Sequence, residues 1–238
     1  MTQKSVNRPI PDPAPIIVAL DDMSEHEAVS LARQLVGLVW GFKVNDLLLN
    51  VGADIVPRLK SYGNVFCDPK LYDIPNTVAN QVRILSAAGA DLITIHCSGG
   101  TEMMRAAIKA REGKAKLLGV TILTAMDGAT CESVYHQDVP DQISLFAGQA
   151  LEAGLDGIIC APTDLGLIDT VDPDHKLWRV TPGVRPDWHT KPDDQKRPMT
   201  PQEAWTGGAE LLVIGRPITG AEDPAKACGR IVEELRGS

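Results

Sequence analysis

The sequence predicts a single α/β domain, a (β/α)8 TIM barrel built on a parallel eight-stranded sheet. Two observations carry this expectation: eight short apolar runs alternate with helix-like segments, and polar residues gather at the C-terminal ends of those runs. The first strand candidate is IIVAL (16–20), ended by Asp21. Ser24 then opens SEHEAVSLARQLV with Glu27 three residues on, the pattern of a capping box ahead of a helix. Strand candidates recur as LVWGFKV (38–44), NVFCDPK (64–70), DLITIHC (91–97), KLLGVTIL (116–123), DGIICAP (156–162), LWRVTPGV (177–184) and ELLVIGRPI (210–218). Most are continuous apolar runs, as burial on both faces demands, and TVANQVRILSAAG is typical of the helical segments between them. Gly89-Ala90-Asp91 and Gly154-Leu155-Asp156 precede the fourth and sixth runs, where glycine ends a helix in the left-handed conformation. A doubly wound open sheet would alternate in the same way; the count of eight favours closure.

At 238 residues the chain is long enough to bury one such core, which spans 16–238 as a catalytic domain behind a loose, Pro-rich leader at 1–15. Aromatic residues make up only 4%, so the core must rest on Val, Ile, Leu and Ala. A net charge of -8 argues against a nucleic-acid surface or an anionic membrane surface, and a small anionic substrate would need a local basic pocket. No stretch approaches the roughly 18 apolar residues of a membrane span, and the N-terminus carries no secretory h-region. Cys67, Cys97, Cys131, Cys160 and Cys228 are widely spaced and odd in number, so neither a disulfide framework nor a zinc site is indicated, and a reducing cytoplasm is the simplest setting.

A parallel barrel carries its active site at the C-terminal ends of its strands. Asp21, Lys43, Asp68, Lys70, Asp73, Thr124, Arg185 and Arg216 fall at or just past such ends. Asp68 and Lys70 stand two apart on one strand, so their side chains are expected on the same side, facing the mouth. The bland reading makes them a buried ion pair that holds the third strand. Likewise Asp21 could be a helix cap and Thr124 a turn residue. The stretch RPDWHTKPDDQKRPMTP (185–201) is too long for a minimal turn and suggests a loop that closes over substrate. His26, His96, His136, His175 and His189 have no metal-ligand spacing, and His96 reads as a structural residue at a strand end.

DPKLYDIPNTV (68–78) is the most specific segment. Through it the chain resembles the orotidine 5′-monophosphate decarboxylase family, whose third-strand signature is Asp-x-Lys-x-x-Asp-Ile-Pro-Asn-Thr. The similarity continues in order through VALD (18–21), FKV (42–44), IHCSGG (95–100), LGVTILT (118–124), TPGVRP (181–186), DDQKRPMTP (193–201) and VIGRPIT (213–219). Asp-x-Lys-x-x-Asp alone would be weak, since related barrels that bind sugar phosphates share it; Ile74, Pro75, Asn76 and Thr77 make the match specific. The resemblance implies cofactor-independent decarboxylation of orotidine 5′-monophosphate to uridine 5′-monophosphate, the last step of de novo pyrimidine nucleotide synthesis, by a homodimer with shared sites. It implies that Lys70 stabilises and protonates the C6 anion, that Asp68 lies near the substrate carboxylate, and that Lys43 and Asp73 complete an alternating charge array. Asp73 and Thr77 would reach the neighbouring subunit's site. Asp21 and Lys43 would hold the ribose, Ile74 and Thr124 would contact substrate, and Arg185, Gln195, Gly215 and Arg216 would take the phosphate.

Three departures bear on the pocket. Pro69 removes a ladder donor from a central strand and points to a bulge or an altered hydrogen-bond pattern. Asn45 stands where the family usually has glycine, and Leu71-Tyr72 replaces a Phe-His pair. Two other readings stay open: a magnesium-dependent decarboxylase or aldolase of 3-keto sugar phosphates on the same strand motif, and a nucleotide-binding pseudoenzyme.

Overall fold

A computed structural model describes residues 8–189 and 199–237. Its strands are β1 (Ala14–Ala19), β2 (Val39–Val44), β3 (Asn64–Leu71), β4 (Leu92–His96), β5 (Lys116–Val120), β6 (Gly157–Ile159), β7 (Trp178–Thr181) and β8 (Leu211–Ile214). All pair in parallel and in chain order, and β1 closes on β8 through Ile16↔Leu212, Ile17↔Val213 and Val18↔Ile214. That last pairing separates the barrel from the doubly wound alternative, because an open sheet leaves its outer strands with one neighbour each.

Four of the strands stop well short of the C-terminal ends of their apolar runs. β5 stops at Val120, β6 at Ile159, β7 at Thr181 and β8 at Ile214, yet Ile122, Val184 and Ile218 beyond them stay buried. Apolar patterning reports burial, and at the barrel mouth the chain remains buried after it has left the sheet. The run expected as strand to residue 218 turns instead into the helix Arg216–Thr219, with Pro217 in its first turn, where a missing N–H costs nothing. At the other end, β1 begins at Ala14 rather than Ile16. The stretch expected to be loose is tied down from Arg8 onward: its guanidinium donates to the Ala209 carbonyl at 2.8 Å and lies 3.8 Å from the Trp205 ring centroid.

Local signals act as their chemistry requires. Ser24 accepts from the Glu27 amide while the Glu27 carboxylate accepts from the Ser24 amide, a complete capping box on the helix Glu25–Gln34. Gly154 ends the helix Val139–Ala153 at φ 87. The acidic residues before the strands have a further task at the barrel floor. Asp91 Oδ2 accepts from the Val65 amide at 2.7 Å, Asp156 Oδ2 from Leu117 at 2.9 Å and Glu210 Oε2 from Arg179 at 2.5 Å. Each carboxylate thereby satisfies an amide at the start of the preceding odd-numbered strand, which the ladder leaves without a partner.

Burial divides into two layers. Ile17, Phe66, Leu92, Leu118, Val120, Ile159, Val180, Leu211 and Val213 fill the barrel interior, while the outward strand residues pack beneath the helices with side chains such as Phe42, Val82 and Met104. The five cysteines are buried free thiols, and no helix among the described residues is long and apolar enough to cross a membrane. At Gly41 an added Cβ would fall 2.1 Å from the backbone oxygen of Asn64, its partner in the β2–β3 register. Gly41→Ala is expected to destabilise the fold by about 1–3 kcal/mol through overpacking, read as a lower urea midpoint at an unchanged slope.

Candidate active site

The site grows from a distortion in β3. Pro69 has no amide to give to β4, and the register passes from Cys67↔Ile93 to Leu71↔Ile95, four residues on β3 against two on β4. This is the bulge that Pro69 foreshadows. Within it Lys70 takes φ 49, a left-handed conformation that costs a non-glycine residue about 1 kcal/mol or more. Simple strand alternation therefore does not hold from Asp68 to Lys70; the bulge, not the pleat, brings the two side chains together. Two side chains replace the lost ladder bonds. Asn45 Nδ2 donates to the Asp68 carbonyl at 2.6 Å, and the Lys70 amide donates to Thr94 Oγ1 at 2.9 Å.

At the mouth these residues form a row of alternating charge. Lys43 Nζ lies 2.8 Å from Asp21 Oδ1 and 3.6 Å from Asp68 Oδ2; Lys70 Nζ lies 2.7 Å from the same Asp68 oxygen. Thr94 Oγ1 donates to the other oxygen, Oδ1, at 2.8 Å. Asp68 and Lys43 are only 7% and 8% exposed, so desolvation would be costly for either charge alone, and the row is stable because each charge meets its opposite.

The row forms one wall of a cavity of about 440 Å³, a size suited to a small molecule. Phe66, Val120, Ile122, Ile159 and Val213 make its apolar surface; Thr124, Gly183, Arg185, Gly215 and Arg216 line it with polar groups. Lys43, Lys70, Arg185 and Arg216 set four cations against the three acids Asp21, Asp22 and Asp68, so a chain of charge -8 carries a locally basic pocket. Of the residues singled out in the sequence, Asp21, Lys43, Asp68, Lys70, Thr124, Arg185, Gly215 and Arg216 meet in this cavity. Asp73 and Ile74 do not: both are exposed, Asp73 Oδ1 accepting from the Ile74 amide at 2.6 Å, and Thr77 sits in the first turn of the helix Pro75–Ala87. Gln195 lies outside the described residues. Two residues escaped notice. Asp22 lines the cavity beside Asp21, and Thr94 is hidden in β4 because threonine is an ordinary strand residue whose hydroxyl leaves no mark on an apolar pattern.

Neighbouring groups are electrostatically quiet. Burial, with the charges of Asp91 and Asp68, pushes the Cys67 thiol up to about 12, which removes it as a nucleophile. His96 is held below its ordinary value of 6.5 by burial first and then by the Lys70 ammonium, with Asp68 acting in the opposite sense. Its ring meets Tyr72 edge-on at 5.9 Å, a packing role. No cluster of His, Cys, Asp or Glu among the described residues could hold a metal ion.

A closed parallel barrel whose strand ends converge a charged row and an apolar wall on one cavity defines a (β/α)8-barrel enzyme. The profile of the Orotidine 5'-phosphate decarboxylase / HUMPS family matches residues 14–231. A protein of Paramagnetospirillum magneticum named Orotidine 5'-phosphate decarboxylase is 42% identical over 233 residues, covering 93% of this chain and 98% of its own. One of the same name from Pseudomonas fluorescens is 40% identical over 228 residues, covering 93% and 97%. Among solved structures, Orotidine 5'-phosphate decarboxylase from Lactobacillus acidophilus superposes with a TM-score of 0.78 at 31% identity, covering 93% of this chain and 98% of that one. An uncharacterized conserved protein from Geobacillus kaustophilus reaches 0.80, also at 31% identity, covering 93% and 100%. The chain belongs to the Orotidine 5'-phosphate decarboxylase / HUMPS family.

The depressed His96 has a consequence for stability. The unfolded chain takes up this proton near 6.5 and the folded one resists it, so the contribution is full above that pH and is lost as pH falls towards the folded value. His96→Gln removes the effect. The stability advantage of wild type over the variant should therefore shrink between about pH 7.5 and about pH 5.5, measured by urea midpoints; a difference that stays constant counts against this assignment.

Proposed function

We propose that this protein decarboxylates orotidine 5′-monophosphate to uridine 5′-monophosphate without a cofactor. The observation that carries the reading is the row Asp21–Lys43–Asp68–Lys70 at the edge of a cavity with an apolar wall. When the bond from C6 to the carboxylate breaks, the electron pair stays on C6 and CO₂ leaves. No adjacent carbonyl disperses that charge, so a fixed cation must stabilise it and a proton must follow. Lys70 serves both needs: its ammonium is preorganised by Asp68, and it has a proton to deliver to C6. Asp68 would face the substrate carboxylate and repel it until CO₂ departs.

Asp21 and Lys43 would bind the ribose hydroxyls, and Thr124 the pyrimidine. Arg185, Gly215 and Arg216 would take the phosphate at the loops after β7 and β8, where barrels commonly place it, with Gln195 closing over it. The metal-dependent sugar-phosphate reading is disfavoured by the donor set, since both Asp68 oxygens are engaged by Lys70, Lys43 and Thr94 and would have to give up an ammonium to hold a cation. Free buried thiols support a reducing, cytoplasmic setting.

The working form would be a homodimer with shared sites. Tyr72 and Ile74 are 64% and 66% exposed, and Asp73 between them is exposed and does not line its own chain's cavity. A second copy covering this surface would bury both apolar side chains and bring Asp73, Ile74 and Thr77 to the partner's cavity.

Turnover is read from the ultraviolet change as orotate becomes uracil. Lys70→Ala should lower the rate by roughly 10³-fold or more, and chelation of divalent ions should leave wild type unaffected. Loss on chelation restored by magnesium would favour the sugar-phosphate enzyme, and tight product binding with no turnover the pseudoenzyme. For the dimer, Lys70→Ala and Asp73→Asn proteins, each inactive alone, should regain activity when mixed under subunit exchange, because one site of the mixed dimer has both native residues. No recovery would place Asp73 outside the partner's site.

A further inference from the structure

Thr94 is the one polar side chain of β4 with no exposed surface. Leu92, two residues before it, belongs to the barrel interior, whereas Ile93 and Ile95 pack outward under the helices, so Thr94 points inward as well. It does not line the cavity. Valine would fill this place with the same shape and without burying a hydroxyl, so the hydroxyl calls for a reason.

Its two partners supply one. The Lys70 amide is a donor and nothing else, so Thr94 Oγ1 must accept from it, at 2.9 Å. The hydroxyl's single proton is then free for Asp68 Oδ1, at 2.8 Å. This direction leaves Asp68 as an acceptor at Oδ1 and aims Oδ2 at the Lys70 ammonium, 2.7 Å away. One oxygen atom thus grips the backbone of Lys70 and the carboxylate of Asp68 across the bulge where ladder pairing is interrupted.

We propose that Thr94 is a positioning residue of the decarboxylation: it holds Asp68 and Lys70 in mutual register without touching substrate. The inference rests on the functional reading above. Without the hydroxyl, the Lys70 amide and Asp68 Oδ1 both lose their partner, and the bulge is free to relax. Among the described residues, Asp21, Lys43, Arg185, Gly215 and Arg216 make no hydrogen bond to Thr94, so the loss falls on the chemical step and spares binding.

Thr94→Val and Thr94→Ser separate the hydroxyl from the shape. With orotidine 5′-monophosphate as substrate, Thr94→Val should lower kcat by roughly 10²-fold while KM stays within about threefold, and Thr94→Ser should return kcat to within about threefold of wild type. The folded fraction of each protein at the assay temperature is measured by circular dichroism, and rates are divided by it. A Val variant with wild-type kcat, a Ser variant as slow as the Val one, or a Val deficit that vanishes on that correction overturns the role of Thr94. A wild-type protein that leaves the substrate untouched overturns the functional reading and this inference with it, whereas an active wild type matched by Thr94→Val overturns this inference alone.

Discussion

Asp68 is a carboxylate that is 7% exposed, and the rest of the site is arranged around its two oxygens. Burying a polar group at that depth without hydrogen-bond partners is costly. Lys70 and Lys43 approach one oxygen and Thr94 the other, so both sides of the group are occupied by donors. The dependence runs both ways. Removing Asp68 would take from Lys43, itself 8% exposed, one of its two acidic neighbours among the described residues, and from Lys70 the carboxylate 2.7 Å away. Breaking a buried pair from one side costs more than the pair contributes as a whole, which ties these residues together as a unit.

Bringing the row together requires β3 to leave regular sheet geometry. A central strand resists this because its amides and carbonyls must be paired. Pro69 removes one amide outright, Asn45 takes up the Asp68 carbonyl, and Thr94 takes up the Lys70 amide. The left-handed Lys70 is thereby held from both sides, its own amide by Thr94 on β4 and the nearby Asp68 carbonyl by Asn45 just past the end of β2. Strain of this kind persists where the surroundings over-determine it, and a strand hydrogen-bonded on both sides inside a closed barrel meets that condition.

Closure also sets the electrostatic setting. Parallel strands deliver every C-terminal end to one rim, so charged residues far apart in the chain converge there, over an interior filled by Phe66, Val120, Ile159 and Val213. Against such a wall the local dielectric is lower than in bulk water, so an ammonium fixed in advance acts on a developing anion with little reorganisation.

The barrel was legible in the chain because its strands are buried on both faces and read as unbroken apolar runs, and capping residues such as Ser24 and Glu27 marked a helix start by local hydrogen bonds. Most of the cavity residues were legible too, because a charge that interrupts an apolar run stands out. Strand ends were not, since Ile122, Val184 and Ile218 are buried without belonging to the sheet. Pro69 announced a bulge, but not that Lys70 would turn left-handed or that Asn45 and Thr94 would bridge the gap. Composition and order along the chain determined the architecture and the kinds of charge available, through short-range propensity and burial. Which oxygen faces which ammonium was decided only when β2, β3 and β4 came side by side, because hydrogen bonds between residues more than twenty positions apart have no local signature.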